Sequence, residues 1–96
     1  MKIHFITYEC GTKENRENFF KELYPLGKTC KNEPGCYQYE YFFPYEDDSK
    51  IFLLERWEDE AALELHMATE NYKKIAQVKP KYNVTTSIIK YVGEEL

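Results

Sequence analysis

Polar and hydrophobic residues alternate at the start of the chain, and the period changes after Gly11. Over Lys2–Glu9 the side chains point in turn to two faces, with Ile3, Phe5 and Thr7 on one and His4, Ile6 and Tyr8 on the other. Thr12 is a suitable helix cap, and hydrophobic residues then recur every three or four positions: Phe19, Phe20, Leu23, Leu26 and Cys30. The pattern predicts a β-strand followed by an amphipathic helix.

Pro25 lies inside this helical pattern. A proline removes one backbone donor and crowds the carbonyl group four residues earlier, so the helix is expected to kink there or to break near Tyr24 into two pieces. Gly27 weakens the same region.

Two further strands are predicted, joined by a polar loop of hairpin length. The turn Glu33-Pro34-Gly35 precedes a strand over Cys36–Phe43, and Ile51–Trp57 predicts a second strand antiparallel to it. Four aromatic rings share one face of the first strand if it alternates regularly: Tyr37, Tyr39, Tyr41 and Phe43. Packing at a subunit interface is the favoured interpretation of this row, and lining of a ligand pocket is the alternative.

The last third of the chain predicts two short helices and a strand. Asp59 and Thr69 are their caps, and Pro80 is expected to end the second. The residues expected to face inward are Ala62, Leu63, His66 and Met67 in the first helix and Tyr72, Ile75 and Ala76 in the second. Alternation over Val84–Val92 predicts the final strand.

The resulting order βαββαβ predicts an α+β fold of the ferredoxin-like type in one domain over residues 1–96. Two right-handed β-α-β units form a four-stranded antiparallel sheet with helices on one face. The other face would expose aromatic and aliphatic side chains, so a homodimer formed through it is expected.

Composition narrows the choice of partners. A net charge of −4 leaves no basic surface for nucleic acid, and no stretch is apolar enough for a signal peptide or a membrane span. Three cysteines, at positions 10, 30 and 36, suit neither a disulfide framework nor a zinc site, which favours reduced thiols in the cytoplasm. With no nucleotide or metal motif either, no cofactor and no metal are expected.

One group of residues is a candidate for chemistry. Glu55 and Trp57 are two positions apart on a strand and share a face, whereas Arg56 points to the opposite side, and either set is able to line a pocket. His66 lies on the core-facing side of its helix, where pairing with a glutamate would fix its tautomer. Each of these side chains also has a purely structural interpretation: a packed histidine, a core tryptophan or an ion-paired glutamate.

Two segments resemble the antibiotic biosynthesis monooxygenase family of dimeric α/β barrels. They are Glu33–Glu40, with its E-P-G turn, and Leu53–His66, with its E-x-W strand end and helical histidine. The resemblance implies a small dimer whose subunits each hold a pocket between sheet and helices. Members of the family include cofactor-free oxygenases of quinols and polycyclic phenols, a branch that degrades haem, and an isomerase of a phosphorylated signalling metabolite.

The resemblance implies a small aromatic substrate and molecular oxygen as the partners of the site. His66 and Glu55 are then the catalytic candidates. The reaction needs a base, because an electron-rich phenol can itself pass an electron to oxygen once it is deprotonated, and His66 is the candidate for that base. The candidates for substrate binding are Trp57, Tyr8, Phe20, Leu23 and Tyr39, and tyrosine hydroxyl groups can donate to a developing oxyanion.

Three alternatives remain at this point. The haem-degrading branch carries an asparagine on the first strand, where this chain has Thr7 and Tyr8. An isomerase of a phosphorylated substrate would need converging cations, and the chain offers Arg56 and a few lysines. A non-catalytic dimeric module that binds a small ligand needs no base at all.

Overall fold

The computed structural model describes residues 1–94, so Glu95 and Leu96, at the end of the predicted domain, lie outside the described residues. The ferredoxin-like prediction is confirmed: four antiparallel strands lie in the order β2-β3-β1-β4, with helices on one face. The elements are β1 (Lys2–Glu9), α1 (Lys13–Cys30), β2 (Cys36–Phe42), β3 (Lys50–Trp57), α2 (Glu60–Met67), α3 (Glu70–Lys81) and β4 (Thr85–Val92).

The predicted helix caps are confirmed. The side chain of Thr12 accepts a hydrogen bond from the backbone N–H of Asn15, and Thr69 caps α3 in the same way. Asp59 accepts from the backbone N–H of Ala62 at the start of α2. Each cap satisfies a donor that the first helical turn leaves unpaired, so these local signals define where the helices begin.

Of the two outcomes expected from Pro25, a break of the helix near Tyr24 is wrong, because α1 runs unbroken from Lys13 to Cys30. Pro25 and Lys21, whose carbonyl group loses its helical hydrogen bond, are both exposed. Water can therefore satisfy that carbonyl group, and no neighbouring element is in the way of the proline ring.

Gly27 has a packing role that the sequence did not indicate. A Cβ atom built on it would lie 1.8 Å from the hydroxyl oxygen of Tyr41 and 2.8 Å from the Cζ atom of that ring. The glycine thus lets the Tyr41 ring cross α1 at close range, and the helix and β2 are held together at this point.

The helices cover one face of the sheet, where the core lies. Ile6 and Tyr8 of β1 face α1 and α3, and alternate residues of β3 are buried beside them. The side chains with no exposed surface are Phe19, Leu23, Cys30, Ile51, Leu53 and Trp57. The face opposite the helices, called the open face here, carries Ile3, Phe5, Phe52, Leu54, Ile89 and Tyr91.

A β-bulge in β2 changes the predicted face of the tyrosine row. Cys36 pairs with Trp57 and Gln38 pairs with Arg56, so Tyr37 is the extra residue and its side chain is exposed. Tyr39 and Tyr41 then lie on the helix side of the sheet, not on the open face. Phe43 follows β2 and packs on Phe20 of α1. The interpretation of this row as a subunit interface is therefore wrong.

Element ends differ from the predictions by one residue. β2 ends at Phe42, β3 begins at Lys50, α3 continues one residue beyond Pro80, and β4 begins at Thr85. Among residues 1–94, no helix has the length and apolar character needed to cross a membrane.

Candidate functional site

His66 lies in α2 between two carboxylates. Its Nδ1 atom is 2.8 Å from Oε1 of Glu33, and its Nε2 atom is 3.5 Å from Oε1 of Glu55. His66 and Glu55 are buried, with 3% and 4% of their surfaces exposed. An ionised carboxylate only accepts hydrogen bonds, so Nδ1 donates to Glu33 and Nε2 is left to take or release a proton.

The Glu33-Pro34-Gly35 turn brings Glu33 to the histidine. Gly35 has a φ of +77°, and a Cβ atom there would lie 2.6 Å from the Cβ of Ala62. The carbonyl group of Gly35 also accepts a hydrogen bond of 2.8 Å from the backbone N–H of Glu58. The turn therefore packs directly on the start of α2, one helical turn before His66.

Trp57 contacts both Glu55 and His66 and holds them in place. Its indole N–H donates to Oε1 of Glu55 at 3.0 Å, and its ring stacks on the imidazole of His66 with centroids 4.5 Å apart. Trp57 has no exposed surface and does not line the cavity beside His66. The predicted stacking of Trp57 on a substrate does not fit this position, which instead fixes the orientation of His66 and Glu55.

Burial has the largest effect on the pKa of Glu55 in the Glu55–His66 pair. Loss of water raises the pKa of Glu55 above its usual value, while the nearby His66 and the N–H of Trp57 act against this increase and Glu33 adds to it. A carboxyl group of raised pKa next to an imidazole can share one proton with it. The arrangement is suited to general acid–base chemistry.

A small cavity of about 60 Å³, called the His66 cavity here, adjoins the pair. Tyr8 and Tyr39, two of the candidates for substrate binding, line it from the sheet, and Tyr72 of α3 is part of the wall. Burial raises the pKa of both Tyr8 and Tyr39, so their hydroxyl groups stay protonated and are able to donate. Ligand pockets usually exceed about 300 Å³, so this cavity must enlarge to admit an aromatic molecule.

The two other predicted binding residues lie elsewhere. Leu23 is fully buried in the core and lines none of the cavities described. Phe20 lines a separate cleft of about 620 Å³ between α1 and β2, called the α1–β2 cleft here. Neither side chain touches the His66 cavity.

Cys30 adds a sulfur atom to the cluster. Its Sγ, a carboxylate oxygen of Glu33 and a ring nitrogen of His66 lie within 4.8 Å of one another. The sequence did not predict this group, because its members are brought together from a helix, a turn and another helix. In the present geometry Glu33 and His66 are joined directly by a hydrogen bond, so a cation would have to displace that bond.

Glu33 and Tyr72 are the site residues that sequence reasoning missed. The turn motif includes Glu33 but predicts no chemical role for it. The helical pattern predicts that Tyr72 faces inward but does not place it in the site. The ring of Tyr72 packs edge-on against His66 at 5.3 Å. The signal that the sequence offered for Glu33 was a carboxylate close to a turn glycine, in a chain that also carries a histidine on an inward helix face.

Comparison with known proteins gives consistent matches. The antibiotic biosynthesis monooxygenase family model matches residues 2–78. A Bacillus subtilis (strain 168) protein named Putative monooxygenase YcnE is 33% identical over 60 residues, which is 62% of this chain. The match spans 63% of that relative's length.

Solved structures share the fold at low sequence identity. A putative antibiotic biosynthesis monooxygenase from Deinococcus radiodurans has a TM-score of 0.89 at 21% identity, covering 100% of this chain and 95% of that one. A conserved protein from Methanosarcina mazei Go1 has a TM-score of 0.83 at 22% identity, covering 98% and 94%. At these identities the likeness establishes the architecture.

Proposed function

Because this chain belongs to the antibiotic biosynthesis monooxygenase family, we propose that it is a cofactor-independent monooxygenase of a quinol or polycyclic phenol. The observation that carries the proposal is the position of the buried His66 side chain in the wall of a small cavity. One ring nitrogen is held by Glu33, and the other faces Glu55. This is the geometry of an oriented base in a site sheltered from water.

In the proposed reaction, Nε2 of His66 accepts the proton of a substrate hydroxyl group, and the phenolate passes one electron to O2. The phenoxyl radical and superoxide combine, forming a C–O bond at a ring carbon that carries hydrogen, para to the hydroxyl group in a phenol or anthrone and ortho to it in a quinol. The proton returns from His66 to the peroxide, which loses water together with the hydrogen on that carbon. One oxygen atom enters the quinone, the other leaves as water, and all four electrons come from the substrate.

The other groups around the cavity support the charges that this sequence creates. Glu33 and Glu55 stabilise the imidazolium that forms on His66, since each lies within 3.5 Å of a ring nitrogen. The hydroxyl groups of Tyr8 and Tyr39 are donors in the wall of the same cavity. They are placed to stabilise an oxygen anion in a medium of low dielectric.

The runner-up is a non-catalytic module that binds a small aromatic molecule. The small volume of the His66 cavity, about 60 Å³, is the observation in its favour. An isomerase of a phosphorylated metabolite is less well supported, because Lys79 is the one cationic side chain of the described residues that lines this cavity besides His66.

The proposed assembly is a homodimer through the open face. Phe5 and Phe52 contact each other there with centroids 5.1 Å apart, and Ile89 and Tyr91 are about half exposed beside them. A second copy would cover this apolar surface. The proposed setting is the cytoplasm, where the three free cysteines would stay reduced.

The test is oxygen consumption with a panel of 1-naphthol, naphthohydroquinones and anthrones, each corrected for its rate without protein. The proposal expects faster consumption on at least one compound and one labelled oxygen atom in the product from ¹⁸O₂. Binding of these compounds with no turnover on any of them would replace the proposal with the binding module.

A further inference from the structure

The α1–β2 cleft lies next to the His66 cavity, and Tyr39 lines both. The cleft has a volume of about 620 Å³, ten times that of the His66 cavity. Among the described residues, Tyr39 is the one side chain common to the two walls. The Tyr39 ring therefore adjoins both the larger space and the cavity that holds the candidate base.

Aromatic rings form the apolar part of the cleft. Phe20 is central, with Tyr41 at 5.2 Å and Tyr24 at 5.4 Å between ring centroids, and Phe43 packs on it at 4.9 Å. The rings of Tyr24 and Phe43 are each 48% exposed. Exposed rings around a concave surface favour a flat apolar ligand.

Polar groups in the same wall favour an anionic substituent. The Tyr41 hydroxyl group is buried against Gly27 of α1. Burial raises the pKa of Tyr41, and a hydrogen bond with Tyr39 acts against this increase, so the hydroxyl group stays protonated. Lys28 and Lys31 lie at the rim, and neither forms a salt bridge within residues 1–94. Glu40 is the acidic side chain in the cleft, and it accepts a hydrogen bond from Gln38.

We propose that the α1–β2 cleft binds the substrate as a planar polycyclic phenol that carries a carboxylate or similarly acidic group. The inference rests on the proposed function in one respect, which is that the bound ligand is then oxidised. Phe20, Tyr24 and Phe43 contact the rings, and Lys28 and Lys31 recognise the acidic substituent. Displacement of the Tyr39 ring joins the two spaces, so that the phenolic hydroxyl group reaches His66.

A different route would pass between α3 and β4, where Tyr72 and Lys79 line the outer wall of the His66 cavity. Tyr72 is 39% exposed and is able to move. The α1–β2 route is favoured because it offers the volume, the aromatic rings and two lysines in one place. The opposite route serves as the competing outcome of the test.

The first experiment measures binding and does not depend on turnover. Quenching of protein fluorescence is used to compare 1-hydroxy-2-naphthoate with 1-naphthol, which lacks the carboxylate. We expect the Kd of the carboxylate to be at least about tenfold lower. The double variant Lys28→Glu/Lys31→Glu should raise that Kd about tenfold and leave 1-naphthol unchanged. Lys73→Glu/Lys74→Glu, on the exposed side of α3, is the matched control of equal charge and should change neither.

Tyr39→Leu tests the wall itself. The shorter side chain should increase the association rate constant of 1-hydroxy-2-naphthoate by about tenfold in stopped flow, with circular dichroism as the check of folding. An unchanged rate constant, equal Kd values for the two probes, or a loss of binding in Lys79→Glu but not in the Lys28/Lys31 variant would overturn the inference.

The two proposals fail in different ways. Selective binding of the carboxylate without oxygen consumption would contradict the proposed monooxygenase activity and support the proposed binding site in the cleft. Turnover of 1-naphthol, with no preference for 1-hydroxy-2-naphthoate and no effect of the Lys28/Lys31 variant, would support the proposed monooxygenase activity and contradict the proposed binding site in the cleft.

Discussion

The Nδ1 atom of His66 lies 2.8 Å from a carboxylate oxygen of Glu33, which is contributed by the turn between α1 and β2. This contact determines which nitrogen of the ring carries the proton. It also directs the Nε2 atom toward Glu55. The turn and α2 therefore cooperate to present one basic atom.

Replacing His66 with Gln should lower the rate of oxygen consumption by about 100-fold, because glutamine keeps much of the volume and a hydrogen bond but accepts no proton. The rate is measured on whichever phenol the wild-type protein consumes. His4→Gln changes the other histidine of the chain, which does not line the cavity, and should retain activity. An active His66→Gln variant would assign His66 to structure.

Removing the charge of Glu55 should change the dependence of stability on pH. Because burial raises the pKa of Glu55 in the folded state, the folded chain keeps a proton that the unfolded chain releases as pH rises above 4.5. The wild type therefore loses stability from about pH 4.5 upward through the raised pKa, whereas Glu55→Gln does not titrate there. Urea unfolding between pH 4 and pH 8 should show the difference, variant minus wild type, rising with pH. A difference that decreases would contradict the pKa direction.

Gly27→Ala should destabilise the protein even though alanine favours helices. Its Cβ would lie 1.8 Å from the Tyr41 hydroxyl oxygen, and overpacking of this kind costs about 1 to 3 kcal/mol. Helix propensity alone would stabilise the variant by about 1 kcal/mol, so the sign separates the two effects. Adding Tyr41→Phe removes the nearest atom and should recover part of the loss in denaturant unfolding. A more stable Gly27→Ala variant would mean that the ring is free to move away.

Leu54→Glu should dissociate the proposed dimer. Leu54 lies on the open face beside Phe5, and a charge there would be buried between the subunits. Sedimentation at micromolar concentration should give the dimer mass for the wild type and the subunit mass for the variant. Leu65→Glu makes the same change on the exposed side of α2 and should remain dimeric. A monomeric wild type would rule out the dimer.

Local patterns were sufficient to predict most of the fold. Alternation identified β1 and β4, and short polar side chains identified the three helix starts, because these features act over a few neighbouring residues. The continuity of α1 at Pro25 depends on more distant parts of the chain. Whether a proline breaks a helix depends on which side of the helix faces water, and that is decided by the packing of α1 on the sheet.

The site was predicted in part for the same reason. His66 and Glu55 were named from their positions on an inward helix face and a strand face. Glu33 was not, because only the packing of Gly35 against Ala62 brings the turn to α2. The face of Tyr39 and Tyr41 is set by their pairing with Glu55 and Leu53, and an unpaired residue in β2 separates them from Cys36, which no periodicity in the sequence reveals.

That unpaired residue, Tyr37, has a consequence for how the gene can change. Since Tyr37 has no partner on β3, loss of its codon would leave Tyr39 opposite Glu55 and Gln38 opposite Arg56. Loss of a codon between Tyr39 and the end of β2 would instead turn the residues beyond it to the opposite face. Position 37 is thus a point where the chain can lose one residue while Tyr39 stays opposite Glu55 and on the side of the histidine.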